Sequence, residues 1–251
     1  MKTAVAVITN NMPPVKTFKS YGWPDYPTVI ICDPAVHKFH REFYKDEIVY
    51  DFLEVTEGKK GLGSQMMELY AQPIDLFGAD LVFRLDDDLP KGVFVEKYDY
   101  DLNLNDVIDE AEEAYKELGT SLVGFSNTSR TDWLGDGYKK TWGLITGAAN
   151  LSITSKFPAK YMDPRLKRYD DVYRTLAHRE ADGAVGRVAQ IGIDKAKCSV
   201  NAAPRMEDVK EEIDFILNRF PGMATCEGTR KINSGTRVIP NWRMKRDKNY
   251  R

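Results

Sequence analysis

The sequence predicts an α/β fold in which a mostly parallel sheet is flanked by helices. Two observations lead to this prediction. Continuous apolar, β-branched runs at residues 4–8 and 28–32 each end in polar residues, and segments with helical spacing separate the later apolar runs. Such runs are typical of buried parallel strands that enter loops. A chain of 251 residues, 42% of them hydrophobic, can bury one large core, so we predict a single domain.

The remaining elements can be placed in chain order from their periodicity and their end signals. Apolar residues at helical spacing predict helices, and short apolar runs bounded by turn residues predict strands. The pair Pro221 and Gly222 is a stop signal after the last helix. On these criteria we predict helices at residues 65–77, 104–118 and 206–220, and strands at residues 81–83, 121–126 and 142–153.

Three consecutive acids, Asp86, Asp87 and Asp88, closely follow the apolar run at residues 81–83. A strand that stops in carboxylates is expected to emerge at the edge of a sheet, where α/β proteins bind ligands. Because side chains alternate in an extended segment, Asp86 and Asp88 should point to one side and Asp87 to the other. Two carboxylates on one side suit Mg²⁺ or Mn²⁺, with water and substrate phosphates as further ligands. The alternative is a solvated turn or a helix N-cap.

The surroundings of this triplet resemble the metal-binding centre of GT-A glycosyltransferases. A helix, a Gly-Ala-Asp turn at residues 78–80, a hydrophobic strand and a D-x-D motif follow one another. The resemblance extends over residues 1–220 and implies a GT-A-like (Rossmann-like) mixed, mostly parallel sheet. It also implies that Asp86 and Asp88 bind Mn²⁺ or Mg²⁺, and that the triplet, including Asp87, contacts the ribose and the diphosphate of a UDP-sugar donor.

The same resemblance implies donor contacts at the ends of the first two strands. Thr9 and Asn10 follow the first strand and Asp33 follows the second, so they should share the sheet edge at which GT-A enzymes hold the nucleotide base. For Asn10 and Asp33, the alternative is that they only form turns. Lys60 lies in a glycine-rich basic loop before the helix at 65–77, where helix amides and lysines can hold a phosphate.

Small residues interrupt the predicted strand at 142–153. Such residues in a strand indicate the close approach of a ligand or of another backbone segment. By resemblance to GT-A enzymes, this segment lines the donor-sugar pocket, which makes Gly147, Ala148 and Asn150 candidate contacts. Tight core packing is the alternative.

Two acidic pairs compete for the acceptor site. Glu180 and Asp182, followed by an Arg and a Gly at suitable distances, resemble the acidic helix start that GT-A enzymes place beside the acceptor. Asp170 and Asp171, in R-Y-D-D-V-Y, resemble the acidic motif of the plant reversibly glycosylated polypeptides, which are sugar-nucleotide mutases. In an inverting reaction a carboxylate accepts the proton of the attacking hydroxyl, and we favour Asp182 for that role. An ordinary charged surface helix is the alternative for either pair.

The composition becomes basic toward the end of the chain. The whole chain has 36 Lys and Arg against 38 Asp and Glu, a net charge of −2. From residue 229 onward a single acid, Asp247, stands against eight bases: Arg230, Lys231, Arg237, Arg243, Lys245, Arg246, Lys248 and Arg251. We delimit this basic tail as residues 221–251. Three interpretations of this tail are open. It clamps the donor diphosphate, with Arg243 as a contact; it binds a polyanionic acceptor such as DNA; or it is a disordered solubilising end.

Cysteine usage and hydropathy bear on the cellular setting. Cys32, Cys198 and Cys226 are far apart in the sequence, so neither a disulfide framework nor a zinc site is predicted. The apolar run at residues 4–8 is too short for a signal peptide, and no run approaches the roughly 18 residues that mark a membrane helix. We therefore expect a cytoplasmic protein with no membrane partner.

The R-L-D-D-D-L-P centre and the N-W-R basic end are similar to the phage glycosyltransferases associated with TET-type DNA base hydroxylases. This narrower resemblance implies transfer from a UDP-sugar to a 5-hydroxymethylated pyrimidine of DNA, such as hydroxymethylcytosine, in the host cytoplasm. Two alternatives stay open. One is a mutase that rearranges a UDP-sugar without an acceptor, and the other is a non-catalytic DNA-binding protein.

Overall fold

Within the residues that the computed structural model describes, the core is a mixed sheet of nine strands, and a separate two-stranded hairpin follows near the end of the chain. The structure describes residues 1–48, 52–59, 62–89, 93–94, 102–128, 131–153, 163, 165–166, 168–193, 206–232 and 237–246. Cys198 and Lys60 therefore lie outside the described residues.

The strands and helices have the following bounds. The strands are β1 (Thr3–Thr9), β2 (Thr28–Cys32), β3 (Leu53–Glu57), β4 (Leu81–Asp86), β5 (Val93–Phe94), β6 (Leu122–Ser126), β7 (Tyr138–Thr141), β8 (Ala149–Ile153), β9 (Val185–Gly192), β10 (Ala224–Ile232) and β11 (Arg237–Met244). The helices are α1 (Lys16–Tyr21), α2 (Pro34–Phe43), α3 (Leu62–Phe77), α4 (Leu104–Leu118), α5 (Asp170–Asp182) and α6 (Met206–Arg219).

The strand order is β3-β2-β1-β4-β8-β6-β9-β5, with β7 also pairing with β9. Strands β1 to β4 run parallel to one another, and β6 runs parallel to β9. Strand β8 lies antiparallel between β4 and β6, while β5 and β7 are antiparallel to β9. The predicted fold class, a mixed and mostly parallel sheet flanked by helices, is confirmed.

The hydrophobic pattern of β1 explains why the sheet has helices on both faces. Val5 and Val7 pack in the large cluster that contains the apolar face of α4, whereas Ala4 and Ala6 pack in the cluster formed with α3. Both faces of the strand are buried, so a continuous apolar run is required rather than an alternating one. The same holds for β2, all five residues of which are buried.

The carboxyl ends of the parallel strands define one edge of the sheet, which we call the carboxyl edge. Thr9, Cys32 and Asp86 end their strands there, and β8 begins there at Ala149 because it runs in the opposite direction. The opposite edge, where β6 begins at Leu122, is called the amino edge. This division decides which polar residues can meet.

Several sequence predictions need correction in their extent. The strand predicted at 142–153 is wrong in its first half, because β8 starts only at Ala149. The helix bearing the second acidic centre starts at Asp170, well before Glu180. A disordered end is wrong for residues 224–232 and 237–244, which form the hairpin and pack Trp242 and Met244 against the cluster of α5 and α6.

The part of the chain that the structure describes contains no helix with the length and apolar character needed to cross a membrane.

Candidate active site

The Asp triplet lies at the carboxyl edge, at the end of β4, as predicted. The strand ends at Asp86, and a turn follows at Asp87 and Asp88, so the alternation expected across the triplet does not continue to Asp88. The Asp87 carboxylate accepts hydrogen bonds from Thr9 Oγ1 and, at 2.8 Å, from Asn11 Nδ2. Asp87 therefore joins the loop after β1 to the triplet.

Helix α1 holds the backbone of the triplet, through a residue that the sequence analysis missed. Thr17 Oγ1 donates to the Asp86 carbonyl oxygen at 2.6 Å and accepts from the Leu89 amide at 2.9 Å, while the Thr17 amide donates to the Asp87 carbonyl oxygen at 3.0 Å. These bonds preorganise the acidic turn, which is what a binding site needs from its supporting residues. A six-residue helix between aromatic and proline residues gave no periodic signal that could have revealed it.

The predicted base-binding residues are at the carboxyl edge, but some of their polar groups already have local roles. Thr9 is buried and bonded to Asp87, whereas Asn10 is exposed. Asp33 caps α2, with Oδ1 accepting from the Ala35 amide at 2.9 Å. The turn-forming alternative thus describes Asp33 correctly, and a nucleotide contact by Asn10 or Asp33 stays a prediction.

A buried ion pair joins β4 to α5. Arg84 Nη1 lies 2.5 Å from Asp170 Oδ2, while Arg84 Nη2 lies 3.7 Å from Asp86 Oδ1. Burial alone would lower the pKa of Arg84, but the charges of Asp170 and Asp86 outweigh it and raise that pKa above its usual value. The Arg84 side chain is therefore a permanent cation between the triplet and α5. An arginine inside an apolar strand was the sequence signal for this contact, and the sequence analysis did not use it.

The ion pair brings Asp170 to Arg84 on β4 and so places the start of α5, which includes Asp171, at the carboxyl edge that carries the triplet. Asp170 is buried and is also approached by Arg174 Nη1 at 3.7 Å. Asp171 is half-buried in the first turn of α5, and its Oδ1 accepts from the Val172 amide at 2.8 Å. The positive end of the helix dipole favours a carboxylate at this position.

The structure does not bring Glu180 and Asp182 to that edge. With 13 residues, α5 places Asp182 about 18 Å from Asp170 along its axis. Asp182 accepts hydrogen bonds from the Ser121 amide, at 2.7 Å, and from Ser121 Oγ, just before β6 at the amino edge. Glu180 forms an exposed ion pair with Arg219 at 2.7 Å. The spacing to the following Arg and Gly thus marked the end of this helix and not its start.

The small residues before and within β8 lie beside the triplet, and their closest neighbour is Arg84. The Ala148 carbonyl oxygen accepts from the Asp86 amide at 2.8 Å. A Cβ atom on Gly147 would come within 3.0 Å of Arg84 Nη2, so glycine makes room for the guanidinium. Asn150 pairs with Arg84 in the sheet register and is fully buried. Tight packing accounts for Gly147, and contacts of this segment with a donor sugar stay a prediction.

The hairpin of β10 and β11 lies along α5. The Trp242 ring is 5.6 Å from that of Tyr169, the residue before α5, and Arg179 Nη2 donates to the Lys245 carbonyl oxygen at 2.6 Å. The Arg246 guanidinium lies 4.6 Å from the centre of the Trp142 ring. Arg243, the predicted phosphate contact, is exposed on β11.

The donor chemistry of Asp86 and Asp88 fits Mg²⁺ or Mn²⁺. Both are half-buried carboxylates on a backbone held by Thr17. The described residues contain no group of three or more His, Cys, Asp or Glu side chains that could hold a metal ion. Mg²⁺ often uses one or two carboxylates and completes its shell with substrate phosphates and water, so two carboxylates are enough in number, and metal binding by Asp86 and Asp88 stays a prediction.

Cysteine chemistry is not expected at this edge. Cys32, at the end of β2, is free and buried, and burial together with the charge of Asp87 raises the pKa of its thiol to about 12. The thiol is therefore protonated at neutral pH, and it is a poor nucleophile and a poor metal ligand.

Comparisons with known proteins support the fold assignment. No protein-family model matches the sequence, and no curated protein matches it. Among solved structures, the chain is similar to S. aureus TarS 1–349, with a TM-score of 0.56 and 13% identity over 87% of this chain and 65% of that one. The complex of TarS 1–349 with UDP gives a TM-score of 0.52 and 14% identity, with the same 87% and 65%.

Another solved structure, that of a synthase, has a similar fold. The 4-diphosphocytidyl-2C-methyl-D-erythritol synthase from Anaerococcus prevotii gives a TM-score of 0.51 and 10% identity, over 86% of this chain and 96% of that one. The chain spans less than two thirds of the TarS fragment. At these identities the similarity shows the fold alone, which is GT-A-like. The narrower resemblance to phage DNA glycosyltransferases stays a prediction.

Proposed function

We propose that the protein is a metal-dependent glycosyltransferase that moves a sugar from a UDP-sugar to a hydroxyl acceptor. One observation carries the proposal: the Asp triplet and the acidic start of α5 meet at the carboxyl edge through the pair of Arg84 and Asp170. In open α/β sheets this edge is where ligands bind. The existence of a complex of TarS, which has a similar fold, with UDP supports a uridine nucleotide as the donor.

In the proposed reaction, a bond forms between the acceptor oxygen and the anomeric carbon, and the bond from that carbon to the phosphate oxygen breaks. A divalent cation bound by Asp86 and Asp88 would stabilise the charge that develops on the leaving UDP. Asp171 accepts the proton of the attacking hydroxyl in the inverting case. We assign this role to Asp171 because Asp182 lies at the amino edge and Asp170 is already paired with Arg84.

The donor nucleotide is proposed to lie along the carboxyl edge. Its base and ribose would contact the ends of β1 and β2, where Asn10 is exposed and Asp33 is half-buried. Thr9 and Asp87 would support that surface through their mutual hydrogen bond. The remaining predicted donor contacts are proposed to be Lys60, Gly147, Ala148, Asn150 and Arg243.

We further propose that the acceptor is a 5-hydroxymethylated pyrimidine in DNA. The exposed Arg243, and the exposed Lys245 and Arg246 just after it, lie at the end of the hairpin that packs along α5, the helix that begins with the acidic pair. Basic side chains can hold DNA phosphates without reading sequence. A base in duplex DNA would have to be flipped out to reach Asp171.

The test is a UDP-release assay with a panel of UDP-sugars, Mn²⁺ or Mg²⁺, and either hydroxymethylated or plain DNA. We expect UDP release only with hydroxymethylated DNA, and mass spectrometry should find a glycosylated nucleoside. The control is a variant with Asp86→Asn and Asp88→Asn, which should retain DNA and release no UDP.

Other outcomes point to other functions. A UDP-sugar isomer formed without an acceptor would identify a mutase. DNA retention with no turnover of any UDP-sugar would identify a binding protein and would refute the transferase proposal. UDP release with a different hydroxyl acceptor would support the transferase activity and refute DNA as the acceptor.

A further inference from the structure

Two buried arginines and one buried carboxylate lie together close to the Asp triplet. Arg84 and Arg174 are buried, with Arg174 at 0% exposure, and Asp170 is 5% exposed. Arg174 Nη1 donates to Tyr70 Oη at 3.3 Å and lies 3.7 Å from Asp170 Oδ2. Buried charges that contact little water interact more strongly than surface ion pairs do. Breaking a buried pair also leaves a charge without compensation, which is costly.

Arg84 is shared unequally between two acids. Its contact with Asp170 is a charge-assisted hydrogen bond of 2.5 Å, whereas its approach to Asp86 at 3.7 Å is too long for a hydrogen bond. Arg84 and Asp86 are two residues apart on β4 and point to the same face, so one guanidinium can reach either acid. Asp170 is therefore what draws Arg84 away from Asp86.

This preference matters because a guanidinium and a divalent cation compete for the same carboxylate oxygens. An arginine fork can engage both oxygens of a carboxylate at once. If Arg84 turned fully toward Asp86, it would occupy the lone pairs that a metal ion needs. Gly147 leaves room for the guanidinium in its present position, because a Cβ atom there would lie 3.0 Å from Nη2.

We propose that Asp170 is a positioning residue that holds Arg84 away from Asp86 and so keeps the Asp86 carboxylate available to a divalent cation. This inference rests on the proposed metal-dependent function. It also gives the two acids at the start of α5 separate tasks, with Asp170 acting on the metal site through Arg84 and Asp171 facing the acceptor chemistry.

The experiment measures Mn²⁺ binding in the presence of UDP and without acceptor, by calorimetry and by the electron paramagnetic resonance signal of free Mn²⁺. Asp170→Asn should raise the dissociation constant of Mn²⁺ about 10- to 100-fold, the range for partners that orient metal ligands. The double variant with Asp170→Asn and Arg84→Gln should restore it to near the wild-type value, because the competing cation is gone.

Two further variants make the test specific. Arg84→Gln alone should bind Mn²⁺ at least as tightly as wild type, and it keeps the proposal testable if Asp170→Asn fails to fold. Arg219→Gln is the control, since it breaks an exposed arginine–carboxylate pair with Glu180 near the other end of α5, away from the triplet. It should leave the dissociation constant unchanged.

The outcomes separate this inference from the function on which it rests. Wild-type affinity in folded Asp170→Asn, or weak binding that persists in the double variant, would overturn the positioning role and leave the transferase intact. Weak binding in Arg84→Gln alone would overturn it too. If the wild type takes up no Mn²⁺ with UDP, both the inference and the metal dependence are refuted.

Discussion

The two ends of α5 carry similar pairs of acids and have different surroundings. At its start, Asp170 is buried against Arg84 and Arg174, and Asp171 follows it in the first turn, at the carboxyl edge that carries the Asp triplet. At its end, Asp182 accepts hydrogen bonds from Ser121 at the amino edge, and Glu180 forms an exposed ion pair with Arg219. In the described part of the chain, α5 is bonded to β4 at its start and to the residue before β6 at its end, and its start lies at the edge that carries the Asp triplet.

This difference shows that the position of an acid along a helix indicates its role as well as its neighbours in sequence do. A helix that packs antiparallel to a parallel strand begins at the carboxyl edge and ends at the amino edge. Acids in its first turn therefore face the site, and acids in its last turn support the opposite edge. The variants described below test this distinction.

The largest effect is expected from Asp171→Asn. Loss of a general base should lower kcat about 10²- to 10⁴-fold, with little change in Mn²⁺ binding, because Asp171 is proposed to act on the acceptor. Steady-state UDP release measures kcat, and calorimetry measures Mn²⁺ binding. If Asp171→Asn kept full activity and Asp182→Asn lost it, the assignment of the two ends would be reversed.

The next largest effect is expected from Asp86→Asn. Weaker charge stabilisation of the leaving UDP should lower kcat by about 10²- to 10³-fold, as loss of other transition-state stabilising groups does. Raising the Mn²⁺ concentration should recover part of the loss, in contrast to Asp171→Asn. An activity that is indifferent to both Mn²⁺ and this substitution would argue against a metal at the triplet.

A stability effect without an activity effect is expected from Asp182→Asn. The substitution weakens the hydrogen bonds to Ser121 at the amino edge and should lower the free energy of unfolding by about 1–3 kcal/mol. Urea unfolding measures this change, and kcat of the folded variant should equal that of the wild type. Ser121→Ala, which removes the hydroxyl partner, should give a similar result if the contact is purely structural.

The smallest effect is expected from Glu180→Gln. Its ion pair with Arg219 is exposed, and exposed pairs contribute about 0–1 kcal/mol. The free energy of unfolding should change by less than that of Asp182→Asn, and the change should shrink further in high salt. A loss of kcat in this variant would show that the end of α5 has a role in the reaction.

Much of the fold could be predicted because its signals are local. The runs at residues 4–8 and 28–32 gave β1 and β2, and the predicted helix at 104–118 has the observed bounds of α4. A capping box at Asn103 and a left-handed Gly119 mark the ends of that helix in the sequence itself. Strand β9 was missed, since its glycines and polar residues obscure the apolar pattern.

The candidate site could be predicted only in part, because it combines local and distant residues. The triplet was placed at the correct edge, since a buried strand that ends in acids gives its own signal. The role of α1 was missed because Thr17 meets the triplet from about 70 residues away. Asp182 was favoured from motif spacing, which does not show where a helix begins. In the structure it lies near the end of α5, at the amino edge.

The amino-acid pattern alone was enough to specify an α/β sheet with an acidic turn at one end. The pattern of apolar residues within each segment determines whether that segment forms a buried strand or a helix. It could not specify which acids that turn would meet. The Arg84 and Asp170 pair joins positions 86 residues apart, and it exists because α5 packs across the sheet with its start at the carboxyl edge. Long-range packing, and not local preference, therefore selected the acidic pair that stands beside the triplet.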